Sequence, residues 1–179
     1  MADADEERRY KIYSELQRSS KSFVQSVQQR LPSNLLSDLA YCLLNNSAVF
    51  TIVSDLKEIQ DLTEKQLFRQ RQKLASYHQG LISKLRNEQR EEMQMDKEYN
   101  NSLLRQRHEN EKEQLERQLQ TEMNKMDSQL LCTIDDKVIQ QQTALTQVGV
   151  PGFSTTFDIE EIQLQMAILL LIQDVHDQS

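Results

Sequence analysis

Histidine is the side chain that most often binds metal ions or transfers protons near neutral pH, and this chain has three, at His78, His108 and His176. None has a second histidine or a cysteine at the spacing of a metal-ligand pair, and the run RHENEK around His108 is not a zinc-protease motif. We therefore predict no metal site, and we interpret all three as ordinary residues on helix surfaces.

Adjacent carboxylates are the next candidates, because two carboxylates that converge on a substrate can act as general acid and base. The pairs Glu91-Glu92 and Asp135-Asp136 are direct neighbours, so on a helix their side chains point about 100° apart. Gly80 stands alone, and no glycine-rich phosphate loop precedes a Lys-Ser or Lys-Thr pair. We predict no catalytic residue and no cofactor, and therefore a protein that is not an enzyme.

Composition and net charge limit the classes of molecule that this chain is expected to bind. The 179 residues are 37% hydrophobic and 27% charged, which is lean for a spherical domain and typical of elongated helices. The chain has 28 acidic and 21 basic residues, a formal charge of −7, without a block of lysines and arginines. Negative charge repels phosphate backbones, so DNA and RNA are disfavoured as partners.

The amino-terminal sequence and the cysteines bear on where the protein works. MADADEERRYK is acidic and polar, unlike a secretory signal or an arginine-rich transit peptide. Cys42 and Cys132 are far apart and neither belongs to a CxxC pair, which is typical of buried or half-buried thiols in a reducing compartment. We predict a nuclear or cytoplasmic protein, or one found in both places, that is not secreted.

Apolar spacing in the first 62 residues predicts three helices. Residues 6–31 carry apolar side chains at helical intervals and stop at a proline, and Ser33 can cap a second helix that contributes most of the core. After the turn Asn45-Asn46-Ser47, residues 48–62 continue as a third helix. The β-branched residues of VFTIV leave a strand open there as an alternative.

A long helical stretch follows, and its apolar side chains form two seams. Thr63 and Gln66 have the spacing of a capping box, which predicts that a helix begins there. The first seam repeats every seven residues, as in a coiled coil, and the second fits an eleven-residue repeat better. The candidate seam and partner-binding residues are Leu67, Leu74, Tyr77, Leu81 and Leu85 in the first, and Leu115, Leu119, Met123, Met126, Leu130 and Ile134 in the second.

The two seams are interrupted between residues 86 and 114, where only five of 29 side chains are apolar. One straight helix over residues 63–147 would be about 125 Å long and would separate the apolar carboxyl-terminal segment from the first helices. Either an antiparallel dimer or a hairpin within one chain would bring them together. We favour a hairpin with its tip at residues 96–102, where DKEYNNS supplies turn-forming asparagines and a capping serine.

The run QVGVPGFSTTF, residues 147–157, predicts a corner after the hairpin. Gly149 can close a helix in the left-handed conformation, and Pro151 prevents the helix from continuing. Asp158 and Glu161 then have the spacing of a cap for a last helix that is apolar nearly all round. Its apolar run is shorter than the roughly 20 residues of a membrane span, so we expect this helix to pack against protein.

Together these patterns predict an all-α protein with four regions. They are an N-terminal helical cluster at residues 1–62, a coiled-coil hairpin at residues 63–147, a corner loop at residues 148–157, and a carboxyl-terminal helix at residues 158–179 that packs back on the cluster.

Three segments resemble one known family. LSDLAYCLLNNSAVFTIVSDLKEIQDLTEKQLFRQR, IDDKVIQQQTALTQVGVPGF and LQMAILLLI are similar to the family of the fly gonadal protein and the vertebrate DiGeorge syndrome critical region 6 protein. The resemblance implies an intracellular helical protein without established enzymatic activity, mainly nuclear in vertebrates and acting in development. It also implies a break near Glu98 and Ser102, where the vertebrate form carries prolines, and it supplies no catalytic residue.

We predict a non-enzymatic adaptor or scaffold that binds proteins through helix faces, with homodimerisation left open. The seam residues have two interpretations, since they can form the inside of the hairpin or contact partners. The alternative function is that of a nuclear nucleic-acid- or chromatin-associated regulator, suggested by Lys65, Arg69, Arg71 and Lys73 on one segment.

Overall fold

The computed structural model describes residues 2–95 and 101–178, and in those residues the chain forms six helices and no strand. The predicted all-α class is therefore confirmed, and the strand alternative for VFTIV is wrong. The helices are α1 Ala2–Ser20, α2 Gln25–Gln28, α3 Ser33–Asn45, α4 Ala48–Met95, α5 Asn101–Gln147 and α6 Ile159–Asp177.

The first helix is shorter than the predicted range of residues 6–31, because α1 ends at Ser20. Side chains in the turn that follows bond to main-chain carbonyls. Ser22 Oγ donates to the carbonyl of Ser19 (2.7 Å), and the Gln28 amide donates to two carbonyls of the turn. Polar side chains that bond to the backbone in this way compete with helix formation, so the helix stops before the proline.

Two predicted helix starts are wrong. Ser33 is the first residue of α3 rather than its cap, since Pro32 holds the N-cap position without a side-chain hydrogen bond. No helix begins at Thr63, because α4 continues through it without interruption. A capping box marks a helix start only where the chain upstream is not already helical, and residues 48–62 contain neither proline nor glycine to break the helix.

The chain divides into two compact units, which are Met1–Asp61 with Asp135–Ser179 (unit 1) and Leu62–Ile134 (unit 2). Helices α4 and α5 therefore contribute residues to both units. The four-region division into residues 1–62, 63–147, 148–157 and 158–179 stays a prediction.

Unit 1 has an apolar core to which α6 contributes heavily. In this unit α1 packs on α3 and α6, and α2 packs on α6, so the last helix lies against the first ones as predicted. Burying a large apolar side chain stabilises a fold by about 1.5 to 3 kcal/mol relative to leaving it exposed. The buried residues of this core are Leu16, Leu31, Leu36, Leu39, Ala40, Leu43, Val49, Val53, Leu145, Val150, Phe153, Ala167, Ile168, Leu171, Ile172 and Val175.

The predicted corner ends α5 with a Schellman motif. Gly149 takes the left-handed conformation with φ of 78°, and its N–H donates to the carbonyl of Thr146 (3.1 Å). The N–H of Val150 donates to the carbonyl of Leu145 (3.1 Å), and both of these side chains are buried. Both hydrogen bonds of the motif are thus present and its two apolar side chains lie in the same core cluster, so the prediction for Gly149 is confirmed.

The rest of the corner fixes where α6 begins. Gly152 has φ of 83°, and a Cβ atom at this position would lie 2.6 Å from Ile168 Cδ1 in the core, so only glycine fits without a shift. Asp158 caps α6 by accepting hydrogen bonds from the N–H groups of Glu160 (2.8 Å) and Glu161 (3.1 Å). The predicted cap at Asp158 is confirmed.

Alanine at two glycines is expected to change stability in opposite directions. Gly149→Ala puts an L residue into the left-handed conformation and should lower the free energy of unfolding by about 1 to 2 kcal/mol. Gly80→Ala lies inside α4, where a Cβ has no neighbour within 4 Å, and should raise it by up to about 1 kcal/mol. Denaturant unfolding followed by circular dichroism measures both changes. Changes of the same sign would contradict the conformations assigned to these two residues.

Candidate protein-interaction surfaces

Ion pairs and histidine–carboxylate hydrogen bonds join α4 to α5 in unit 2. As residue numbers rise along α4 their partners' numbers fall along α5, so the two helices are antiparallel within one chain, as the predicted hairpin requires. Most of the predicted tip, residues 96–102, lies outside the described residues, and supercoiling of the two helices stays a prediction. The pairs are Arg71 Nε with Asp127 Oδ1 (2.8 Å), His78 Nε2 with Glu122 Oε2 (3.0 Å), His108 Nε2 with Glu92 Oε2 (2.8 Å), and Arg107 with Glu92.

Two of the three histidines are buried, so the prediction of surface histidines is wrong for them. His78 is 6% exposed and His108 is 8% exposed, and each ring bonds to a carboxylate of the opposite helix. Burial is tolerated because that bond satisfies a polar ring atom inside the hairpin. His176 is exposed, as predicted, and its ring stacks on Phe50 in unit 1 with ring centroids 5.4 Å apart.

The burial of these two histidines could have been predicted from their spacing to the buried leucines. In the described part of unit 2 the buried side chains are Leu67 and His78 on α4, and His108 and Leu119 on α5, and the members of each pair are eleven positions apart. An eleven-residue repeat corresponds to about 3.67 residues per turn, close to a straight α-helix. The seven-residue repeat assigned to the first seam differs from this pattern because it was based on leucines alone.

The candidate seam residues lie at different depths. Leu67 and Leu119 are buried, whereas Tyr77 and Ile134 are exposed. Tyr77 and Ile134 are therefore the members most open to a partner, and a role in binding stays a prediction for all of them. The other seam residues are half-buried: Leu74, Leu81, Leu85, Leu115, Met123, Met126 and Leu130.

The charged groups between the two helices of unit 2 are engaged with one another. The Arg71 guanidinium holds the pKa of the Asp127 carboxyl below its usual range, chiefly through its hydrogen bond, and Asp127 raises the pKa of Arg71 in return. Hydrogen bonds from Gln118 and then from His78 lower the pKa of Glu122. Carboxyl groups whose pKa is lowered stay ionised at neutral pH, so these carboxylates remain charged partners of the groups that face them.

The two thiols differ from each other. Cys42 is half-buried, its Sγ donates to the carbonyl of Gly149 (3.7 Å), and burial raises the pKa of the thiol. Cys132 is exposed, so the prediction that both thiols are at least half-buried is wrong for it. It lies two residues from the half-buried Leu130, which places the two side chains on nearly opposite sides of α5.

In unit 1, helix α6 has a second apolar face besides the one in the core. Ile159, Ile162, Met166 and Leu170 recur every three or four residues along it, so they form one row on the helix. Ile159 is exposed, Ile162 is half-buried, Met166 is 58% exposed and Leu170 is 49% exposed. We call these four residues the α6 stripe, and the described residues of unit 1 do not cover it fully.

An apolar groove of about 270 Å³ runs beside the α6 stripe, and three of the stripe residues line it. Its other apolar walls come from Val53 of α4, Val138 of α5, Phe153 of the corner and Leu169 of α6. The charged residues that line it are Lys57 and Asp61 of α4. The stripe and the groove are therefore continuous, and together we call them the α6 surface.

A buried glutamine pair fixes the position of α6 next to this groove. Gln142 Nε2 donates to Gln165 Oε1 (2.9 Å) and to the carbonyl of Thr156 (3.1 Å), and the N–H of Thr156 donates to Gln142 Oε1 (3.2 Å). Gln165 Nε2 donates to the carbonyl of Ser154 (2.9 Å). The pair thus ties α5, the corner loop and α6 together, and nothing in the glutamine-rich sequence distinguished these two residues from their neighbours.

Two further properties concern only the described residues. No single helix among them is long and apolar enough to cross a bilayer, although α3 and α4, bent by 100° at their junction, pass that test of length and composition as a pair. No group of three or more histidine, cysteine, aspartate or glutamate side chains comes together there as metal ligands.

The chain is similar in sequence to one protein family and to two of the relatives known in it. Residues 2–179 match the family model of the DiGeorge syndrome critical region 6 (DGCR6) protein. The chain is 42% identical to Protein DGCR6 of Gallus gallus over 174 residues. The aligned region is 97% of this chain and 86% of the relative. The chain is 26% identical to Gonadal protein gdl of Drosophila melanogaster over 160 residues. The aligned region is 89% of this chain and 75% of the relative. No solved structure matches.

Proposed function

This chain belongs to the DiGeorge syndrome critical region 6 (DGCR6) protein family, and on that premise we propose that it binds other proteins through its helix faces and catalyses no reaction. Membership of the family implies a role in development, and the name of the fly relative adds an association with the gonad. We propose that the protein acts as an adaptor in the nucleus, the cytoplasm or both.

One observation carries this proposal: α6 is apolar on two faces, and the core of unit 1 covers only one of them. Single exposed apolar residues are common on protein surfaces and need no explanation. A row of them that continues into an apolar groove is different, because rows of this kind mark places where another protein binds.

The hairpin of unit 2 offers a second region for contact. Tyr77 and Ile134 are exposed members of the predicted seams, and tyrosine is enriched where proteins bind one another. Leu67 and Leu119 are buried within the chain itself, so we assign them to the hairpin and not to a partner.

Direct binding of a purified partner tests the proposed function. Proximity labelling in cells with the full chain yields candidate proteins, and each is then mixed with the purified chain and chemically cross-linked. We expect at least one candidate to form a direct complex whose cross-links map to exposed helix residues.

The same purified chain is mixed with DNA and RNA at low and high salt. If no protein binds directly, and nucleic acid binds in a salt-sensitive manner that Lys65→Gln with Arg69→Gln and Lys73→Gln abolishes, the alternative of a nucleic-acid-associated regulator replaces the proposal. Reproducible turnover of a substrate by the purified chain would also contradict it.

A further inference from the structure

The α6 surface has the shape of a site for a helix. Three of its stripe residues, Ile162, Met166 and Leu170, line the groove and are spaced four residues apart over about two turns of α6. An amphipathic helix that lies along such a groove places apolar side chains at positions i, i+3 or i+4, and i+7 against it. The walls of this groove come from three helices, α4, α5 and α6, so a further helix can pack into it as helices pack on one another.

The charge around this surface is acidic. Helix α6 contains Glu160, Glu161, Asp174 and Asp177 and no lysine or arginine. Among the described residues Glu160 pairs with Arg30 (3.0 Å), whereas Glu161, Asp174 and Asp177 take part in no ion pair. On the other wall of the groove the charges of Lys57, which donates to Gln173 Oε1 (3.3 Å), and Asp61 balance each other. The excess negative charge comes from Asp174 and Asp177, which follow Leu170 by four and seven residues and so lie on the side of the stripe.

A second copy of this chain would meet that acidic surface unfavourably. A two-fold symmetric dimer places the same patch of both copies against each other, so α6 would face α6. Their carboxylates would then repel, and each chain already carries a formal charge of −7. A helix that carries lysine or arginine beside its apolar row avoids this repulsion and complements the carboxylates.

We propose that the α6 surface binds an amphipathic helix of another protein that has apolar side chains at i, i+3 or i+4, and i+7 and lysine or arginine on both sides of them. This inference rests on the proposed function and adds to it where the partner binds and what chemistry the partner has.

Synthetic peptides provide the probe. One fluorescent peptide carries leucines at the required spacing flanked by lysines, a second carries the same leucines flanked by glutamates, and a third has the lysines with the leucines scrambled. Fluorescence anisotropy with the purified full chain measures their affinities. We expect the lysine peptide to bind at least about tenfold more tightly than either control, and more weakly as salt is added.

Variants of the chain locate the site. Met166→Gln and Leu170→Gln alter exposed stripe residues and should each weaken binding of the lysine peptide about tenfold, with unchanged circular dichroism. Leu103→Gln is the matched control, since Leu103 is an exposed leucine of unit 2, and it should bind as the unaltered chain does.

Several results would overturn the inference. Equal affinity for the lysine and glutamate peptides would show that the partner does not need basic side chains. Equal affinity of the stripe variants and the unaltered chain for the lysine peptide would show that the peptide does not bind at the α6 stripe. Self-association of the chain that Met166→Gln abolishes would show that a second copy occupies the α6 surface.

This inference and the proposed function fail in different ways. If a purified protein partner binds the unaltered chain and both stripe variants equally, the proposed function stands and the α6 surface is not its site. If the lysine peptide binds as expected but no cellular protein binds directly, the surface stands and the proposed function fails.

Discussion

Replacing Leu171 with alanine is expected to lower the free energy of unfolding by about 2 to 5 kcal/mol. Leu171 is 0% exposed and lies in the core of unit 1, so truncation both removes apolar burial and leaves a cavity. Denaturant unfolding of the purified chain, followed by circular dichroism, measures the change.

The neighbouring residue supplies the control for this prediction. Leu170→Ala makes the same chemical change one position earlier in α6, but Leu170 is half exposed and lies outside the core cluster. We expect it to lower the free energy of unfolding by less than about 1 kcal/mol. Equal losses for Leu170→Ala and Leu171→Ala would mean that α6 does not present the face assigned here to the core.

Gln142→Leu is expected to have the second large effect, because three hydrogen bonds of the buried glutamine pair are lost at once. The amide oxygen of Gln165 would then lose its buried bond to Gln142, and the N–H of the half-buried Thr156 would lose its bond to the same side chain. Each buried polar group left without a partner costs about 1 to 3 kcal/mol. The corner loop should also loosen, which hydrogen exchange of the Thr156 amide would detect as faster exchange.

Gln141→Leu is the matched control for this change. Gln141 precedes Gln142 on α5 and is half-buried, and it takes no part in the hydrogen bonds of the pair. Its replacement should leave both the unfolding free energy and the Thr156 exchange rate nearly unchanged. If the two variants behave alike, the glutamine pair does not hold the corner.

Local backbone chemistry was predicted correctly at the corner between α5 and α6, although the caps predicted at Ser33 and Thr63 were wrong. The end of α5 at Gly149 and the cap of α6 at Asp158 depend on residues a few positions away, and both have the predicted geometry. The long helical arms followed from the scarcity of proline and glycine between residues 33 and 148. All of these depend on the conformational preferences of single residues.

Contacts between distant residues were the part that the sequence did not predict. His78 bonds to Glu122 of α5, and Gln142 bonds to Gln165 of α6. These bonds allow the two polar side chains to be buried, and both partners are far away in sequence. Cys132 was misplaced for the same reason, since the face of α5 that meets α4 follows from the register of the two helices. Composition and periodicity do not fix that register.

The α6 stripe was visible in the sequence only as excess apolar character. The last helix was predicted to be apolar nearly all round, and burial of every face was the natural expectation. The structure divides these side chains between the core, with Ile168 and Ile172, and the surface, with Ile159 and Met166. Which apolar face stays outside depends on how α6 docks, and docking is set by the corner and the glutamine pair.

The pairing of α4 with α5 within one chain is the feature on which the assignment of seam residues depends, because residues buried inside the hairpin are not available to partners. A pulsed electron paramagnetic resonance measurement tests it directly. Spin labels are attached at Lys73→Cys on α4 and Lys125→Cys on α5, with both native cysteines replaced by serine.

The labelled chain is then diluted into an excess of unlabelled chain, so that any distance between two different chains disappears. We expect a single short distance that survives dilution, set by helix axes about 8 to 10 Å apart. A short distance that is lost on dilution would instead show an antiparallel dimer, and a distance of roughly 78 Å would show one straight helix at about 1.5 Å per residue. Either of these results would contradict the hairpin.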